Sequence, residues 1–308
     1  MFDVFTQMAA LIACGVAWRI WKPMGIQADT SRQSLIGLVY VLLLPALVLD
    51  VLWNSPLGMD SIRISATAAS GVLVCMGLAW LIYRYAFKQA SRPTAGALIL
   101  AAAFPNATYM GLPVLEATLG SWSRSVAVQY DLFACTTLLL SVGVMLAHPF
   151  GSSGEKLHPL KNLLQVPPLW AAIIGVALNL LAVPLPSVFG GMLDMLAAGV
   201  VPLMLFALGL GLRWGAGWWA HLNLVLPVVV IQLLLTPLLI WGASDLVGLG
   251  GEVRTAVVLE AAMPSMVLGI VLCDRYRLDS GLYAMAVTLS TALSIVTLPA
   301  WFAWVGGG

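Results

Sequence analysis

Charge is what this chain has least of. Only 9% of its 308 residues are Asp, Glu, Lys or Arg, against roughly 25% in soluble globular chains. Net charge is +1, so there is neither a basic face for nucleic acid nor an acidic tail for a disordered partner region. Histidine is scarce too: His148, His158 and His221 stand apart, without the spacing of metal ligands. The four cysteines, Cys14, Cys75, Cys135 and Cys273, all fall in apolar stretches with no CxxC pair, which excludes a zinc or dithiol motif and makes them packing residues. HExxH and GxSxG are absent, so zinc-protease and serine-hydrolase chemistry has no motif to stand on.

What remains is apolar. The chain is 61% hydrophobic with a mean hydropathy of +0.99, the composition of a polytopic membrane protein. Spans of about 20 apolar residues are expected at 4–21, 33–53, 62–87, 93–119, 125–147, 168–183, 190–212, 222–246, 253–276 and 282–304. The polar stretch GSSGEKLHPLKNLLQ opens with helix breakers and reads as a connector, 151–166, between domains 1–150 and 167–308. Residues 1–21 lack the basic start of a cleavable signal peptide, and Arg19, Trp21 and Lys22 read as the cytoplasmic anchor of a first span. Eleven of the 14 basic residues flank odd-numbered loops, Arg63, Arg124 and Arg254 being the others. That bias places both termini outside the cytoplasm.

The fourth expected span contains FPNATYMGLP, residues 104–113. Pro105 and Pro113 each remove a backbone donor and crowd the preceding turn. Polar backbone freed inside a bilayer is tolerated only against protein or a wet cavity, and Asn106 adds an amide that both donates and accepts. A polar ligand site is expected there. Pro45 and Pro202 lie 157 positions apart, and Pro105 and Pro264 lie 159 apart, a spacing that points to an internal repeat of five spans. An odd number of spans makes the second copy inverted. Pro264 lies ten residues from Arg254, about 15 Å or half the hydrocarbon core, and Pro105 about 20 Å from Arg92, so both breaks fall near the midplane.

FPNATYMGLPVLEATLG, PPLWAAIIGVALNLLAVPLP and AAMPSMVLGIVLCDRYRLDSGLYAMAVTLSTALSIVTLP together resemble the auxin efflux carrier family, particularly its short bacterial members. The resemblance spans nearly the whole chain and lacks the long central loop of the plant hormone carriers. It implies an all-α polytopic membrane protein, similar in fold to bile acid sodium symporters: ten transmembrane helices in two inverted five-helix repeats, with broken fourth and ninth helices crossing near the bilayer centre. Spans one, two, six and seven would form a scaffold and the contact of a homodimer, and the others a moving transport unit. The family's substrate asparagine maps onto Asn106. The second asparagine of the plant carriers is replaced by Ser265. Bacterial members are associated with dicarboxylates such as malonate and malate, plant members with indole-acetate.

A small carboxylate is therefore the expected partner besides the lipid bilayer, with Pro105, Asn106, Thr108, Tyr109, Gly111, Met263, Pro264 and Ser265 as the substrate-binding set. Each break offers the amino end of a half-helix, with free amides and partial positive charge. Glu260, one turn before Pro264, is a carboxylate at about 9 Å depth; it and Asp131 are the expected holders of a coupling cation, H+ or Na+, and no other cofactor or metal is expected. Glu116 and Asp50 fall near span ends and are expected to snorkel, while Asn179 and Gln232 read as interhelical hydrogen-bond partners. The tryptophans cluster at span ends as interfacial belts. Two rival classes are a membrane receptor that binds without transport and an intramembrane aspartyl protease. Tyr130–Asp131 supplies only half of the motif that a protease needs, and Gly209–Leu212, GLGL, carries no second acid. A transporter, not an enzyme, is the reading taken forward.

Overall fold

The computed structural model describes residues 2–151, 164–212 and 218–306. Most of the expected connector, 152–163, lies outside the described residues. Among the described residues twelve α-helices follow one another, counting as one those that run on through a π turn or, at Gly199, a single turn residue: α1 Phe2–Trp21, α2 Ala28–Asn54, α3 Met59–Tyr85, α4 Arg92–Ala103, α5 Leu112–Leu119, α6 Ser123–Phe150, α7 Pro167–Leu180, α8 Ser187–Gly211, α9 His221–Leu246, α10 Gly251–Ala261, α11 Gly269–Tyr276 and α12 Ser280–Val305. No strand longer than an isolated bridge occurs among the described residues. Six of the helices, α2, α3, α6, α8, α9 and α12, are long and apolar enough to cross a membrane. The protein is a multi-pass membrane protein.

The expected spans coincide with these helices to within a few residues, and the fourth and ninth are each split. The half-helix α4 has 12 residues, about 18 Å of rise, or little more than half of a hydrocarbon core. It is also buried all round: Ala97 to Phe104 are all 1% exposed or less. Ala256 to Met263 in and after α10 are likewise sealed from the surface. A helix apolar on every face belongs at the centre of the bundle, and these two half-helices occupy it. The longer helices surround them and turn large apolar side chains outward, such as Ile173, Met195, Leu246 and Val296, as a lipid-facing surface requires.

Three long spans expected to be plain helices, α2, α6 and α9, contain π turns and a further one leads into α5; proline accounts for three of the five among the described residues. Val39–Leu43 in α2, Ala107–Gly111 entering α5 and Ile231–Leu235 in α9 each end two residues before a proline, Pro45, Pro113 and Pro237. A proline offers no N–H to the carbonyl four residues back and crowds it, and a widened turn relieves both conditions. Hydroxyls also bridge the five-residue spacing: Thr236 donates to the Ile231 carbonyl at 2.8 Å and Thr137 to that of Leu132 at 2.6 Å. α6 holds two further π turns, Asp131–Cys135 and Leu139–Gly143.

The most extensive packing joins α2 to α7 and α1 to α8. The second contact depends on glycine. A Cβ at Gly15 would strike the Phe206 carbonyl and one at Gly209 that of Ile12, so the two backbones touch, as small residues permit in membrane helix pairs. α4 and α12 begin side by side: Asp279 caps α12 by accepting from the Leu282 amide at 3.0 Å, and also accepts from the Thr94 hydroxyl at 2.9 Å.

Candidate functional site

The two breaks meet. α4 ends at Ala103, after which Phe104 is extended and Asn106 lies outside the helical region. Pro105 and Ser265 form an antiparallel bridge. The Asn106 backbone amide donates to the Pro264 carbonyl at 2.7 Å, and the Met266 backbone amide donates to the Phe104 carbonyl at 2.8 Å; the Asn106 side chain takes no part in this pairing. Backbone groups that each proline frees from its own helix are thus satisfied by the other break, which answers the accounting that a bilayer imposes.

Neighbouring helices clamp the second break. Gln232 of α9 donates to the Met263 carbonyl at 3.1 Å and reaches the Ala261 carbonyl at 3.5 Å. Ser290 of α12 accepts from the Ser265 amide at 3.1 Å, and Tyr283 donates to the Met266 carbonyl at 2.6 Å. Gln232 and Asn179 both make the interhelical contacts expected of them, Asn179 donating to the carbonyls of Trp53 and Ser55 at 2.8 Å each.

Beside the bridge is a small cavity of about 20 Å³. Its polar border is Tyr40 of α2, Asn106, Thr108 and Tyr109 of the first break, and Asp131 and Thr136 of α6. Val166 and Pro168, at the start of α7, join Leu44 in an apolar wall, and Met266 and Leu268 come from the second break. Asn106 is 2% exposed, and its side-chain nitrogen has no partner. Asp131 accepts from the Thr108 hydroxyl through one oxygen and from the Thr136 hydroxyl, at 3.1 Å, through the other.

Among the residues singled out in the sequence, Asn106, Thr108, Tyr109 and Asp131 therefore come together around one space. Pro105, Met263, Pro264 and Ser265 build the bridge without bordering the cavity. Gly111 stands at the end of the π turn, where the Glu260 carboxylate packs against it so closely that a Cβ would land on it. Glu260 is fully buried, neither of its oxygens has a partner, and it does not border the cavity. Glu116 pairs with Arg124, and Asp50 accepts from the Asn54 amide at 3.1 Å. Tyr40 and Thr136 escaped the sequence reading. Thr136 follows Asp131 by five residues, which is a different face of an α-helix and a stacked neighbour only in a π turn.

Two broken apolar segments joined beside an unpartnered side-chain amide, among six helices long and apolar enough to cross a membrane, are a build suited to a membrane carrier. The chain belongs to the membrane transport protein family, that of the auxin efflux carriers, whose sequence profile matches residues 3–159 and 155–302. An uncharacterized transporter of Methanothermobacter thermautotrophicus is 31% identical over 288 residues, 92% of each chain. An uncharacterized transporter of Methanocaldococcus jannaschii is 26% identical over 74% of this chain and 73% of its own. YfdV of Escherichia coli, also an uncharacterized transporter, is 23% identical over 78% of this chain and 77% of its own.

Proposed function

We propose that this protein is a secondary carrier of a small organic anion, a mono- or dicarboxylate, working by elevator-type alternating access in the inner membrane. The unpartnered Asn106 amide at the cavity beside the paired breaks carries this reading. The first turn after Asn106 adds amides with no preceding helical carbonyl to serve and the partial positive charge of a helix start. Among the described residues no lysine or arginine borders the cavity, so hydrogen-bond donors and dipoles are left to recognise a carboxylate.

The cavity lies between two groups of helices. One wall belongs to α2 and the start of α7, the other to the crossing breaks and α6. At about 20 Å³ it has room for one water rather than a carboxylic acid, so binding requires the walls to part. Rigid movement of the crossing unit against an α1, α2, α7 and α8 scaffold supplies that opening and is our elevator. In this reading the chain is two inverted repeats, 1–150 and 167–308, with both termini outside the cytoplasm, two copies joined through the scaffold, and Glu260 or Asp131 serving a coupling H+ or Na+.

Purified protein in a thermal-shift panel tests the substrate class. Malonate, malate or indole-acetate should raise the unfolding temperature. Stabilisation by cations or neutral sugars, with none by any carboxylate, would refute it.

A further inference from the structure

Two acids are buried near the crossing, and their surroundings separate them. Asp131 and Asn106 border the same small cavity. An anion held by the Asn106 side-chain amide would therefore stand against the Asp131 carboxyl group, in a cavity with no lysine or arginine on its border among the described residues. Two carboxylates that share such a site cannot both be ionised. Glu260 makes no such encounter, because it is packed against Gly111 and does not border the cavity.

The groups facing Asp131 leave it without a compensating charge. They are Tyr40 from α2, Tyr109 from the first break, Glu260 from α10 and Cys135 from α6 itself. Cys75 of α3 stands in the next layer, hydrogen-bonded to Thr236, and the described residues of α7 include no titratable side chain. From the α2 side Arg32 reaches Tyr109 rather than Asp131, and the groups that face Asp131 itself are neutral or acidic, so a proton is the charge that lets an anion enter.

We propose that Asp131 takes up one proton with each anion bound and releases it with the anion, making it the coupling group of the carrier, while Glu260 is not. This rests on the anion reading given above. The balance is one proton from the aqueous phase, bound to a carboxylate oxygen of Asp131, with no other bond made or broken. Thr108 links that proton to the substrate site. Its hydroxyl donates to ionised Asp131; once the acid carries a proton, the same hydroxyl can accept from Asp131 and donate to the arriving carboxylate.

Titration calorimetry with malonate and malate from pH 5 to 9, in buffers of different ionisation heat, reads both affinity and protons bound. Above the pH at which Asp131 ionises in the empty site, affinity should fall tenfold per pH unit and one proton should enter per anion. Asp131→Asn should bind with an affinity that no longer changes with pH and take up no proton. In proteoliposomes a pH gradient should no longer drive its uptake, whereas the parent's uptake follows the gradient. Glu260→Gln should retain the parent's pH dependence. Binding by the parent with flat affinity and no proton uptake overturns the assignment and needs no variant to do so. Loss of pH dependence in Glu260→Gln, with retention in Asp131→Asn, overturns it in favour of Glu260. Absence of any carboxylate binding, even at pH 5, overturns the anion reading itself.

Discussion

Gly111→Ala tests the contact that locks the two breaks together. The added methyl would fall on the Glu260 carboxylate, with all three carboxyl atoms inside contact distance. The acid has no room to withdraw, being 0% exposed, at the end of a half-helix sealed from Ala256 onward. Inserting a carbon into a close-packed interior costs about 1–3 kcal/mol, which at about 2–4 °C per kcal/mol is a fall of roughly 2 to 12 °C in unfolding temperature. The same substitution made in Glu260→Ala meets empty space, and its cost should drop below about 0.5 kcal/mol, the scatter expected of independent sites. Thermal unfolding of the four proteins of this cycle in detergent gives the comparison. Equal losses from Gly111→Ala in both backgrounds would show that the Glu260 carboxylate does not press on Gly111.

Two other substitutions address the crossing. Asn106→Ala should weaken carboxylate binding by about 1–3 kcal/mol, the cost of leaving a buried polar partner unpaired, with unfolding temperature unchanged; calorimetry with malonate that shows undiminished affinity removes Asn106 from the site. Gln232→Leu leaves the Met263 and Ala261 carbonyls without their donor and should destabilise the protein by about 1–3 kcal/mol, with an unfolding temperature equal to the parent's as the contrary result.

Much of the fold can be read from composition, because a bilayer demands apolar runs of known length and each span leaves its own run. The breaks at Pro105 and Pro264 were legible for a related reason: proline and asparagine are conspicuous where everything around them is apolar. How the breaks satisfy each other was not. The pairing of Asn106 with Pro264, and of Met266 with Phe104, joins residues about 160 positions apart, and hydropathy carries no information on which backbone meets which. Within the site, Asn106 and Asp131 stood out as polar side chains at depth, whereas Tyr40 is ordinary in a membrane helix. Thr136 is brought beside Asp131 by a π turn, and a period of 3.6 residues assigns it to another face. Glu260 and Asp131 look alike by depth, and only packing separates an acid against Gly111 from one at the cavity.

Counterflow in proteoliposomes shows whether the crossing of the two broken helices binds and moves an organic anion. Vesicles loaded with unlabelled malonate or malate should accumulate the labelled anion from outside, and vesicles holding Asn106→Ala should accumulate far less at the same external concentration. Equal accumulation by the parent and Asn106→Ala, or none by the parent despite tight carboxylate binding, would contradict it.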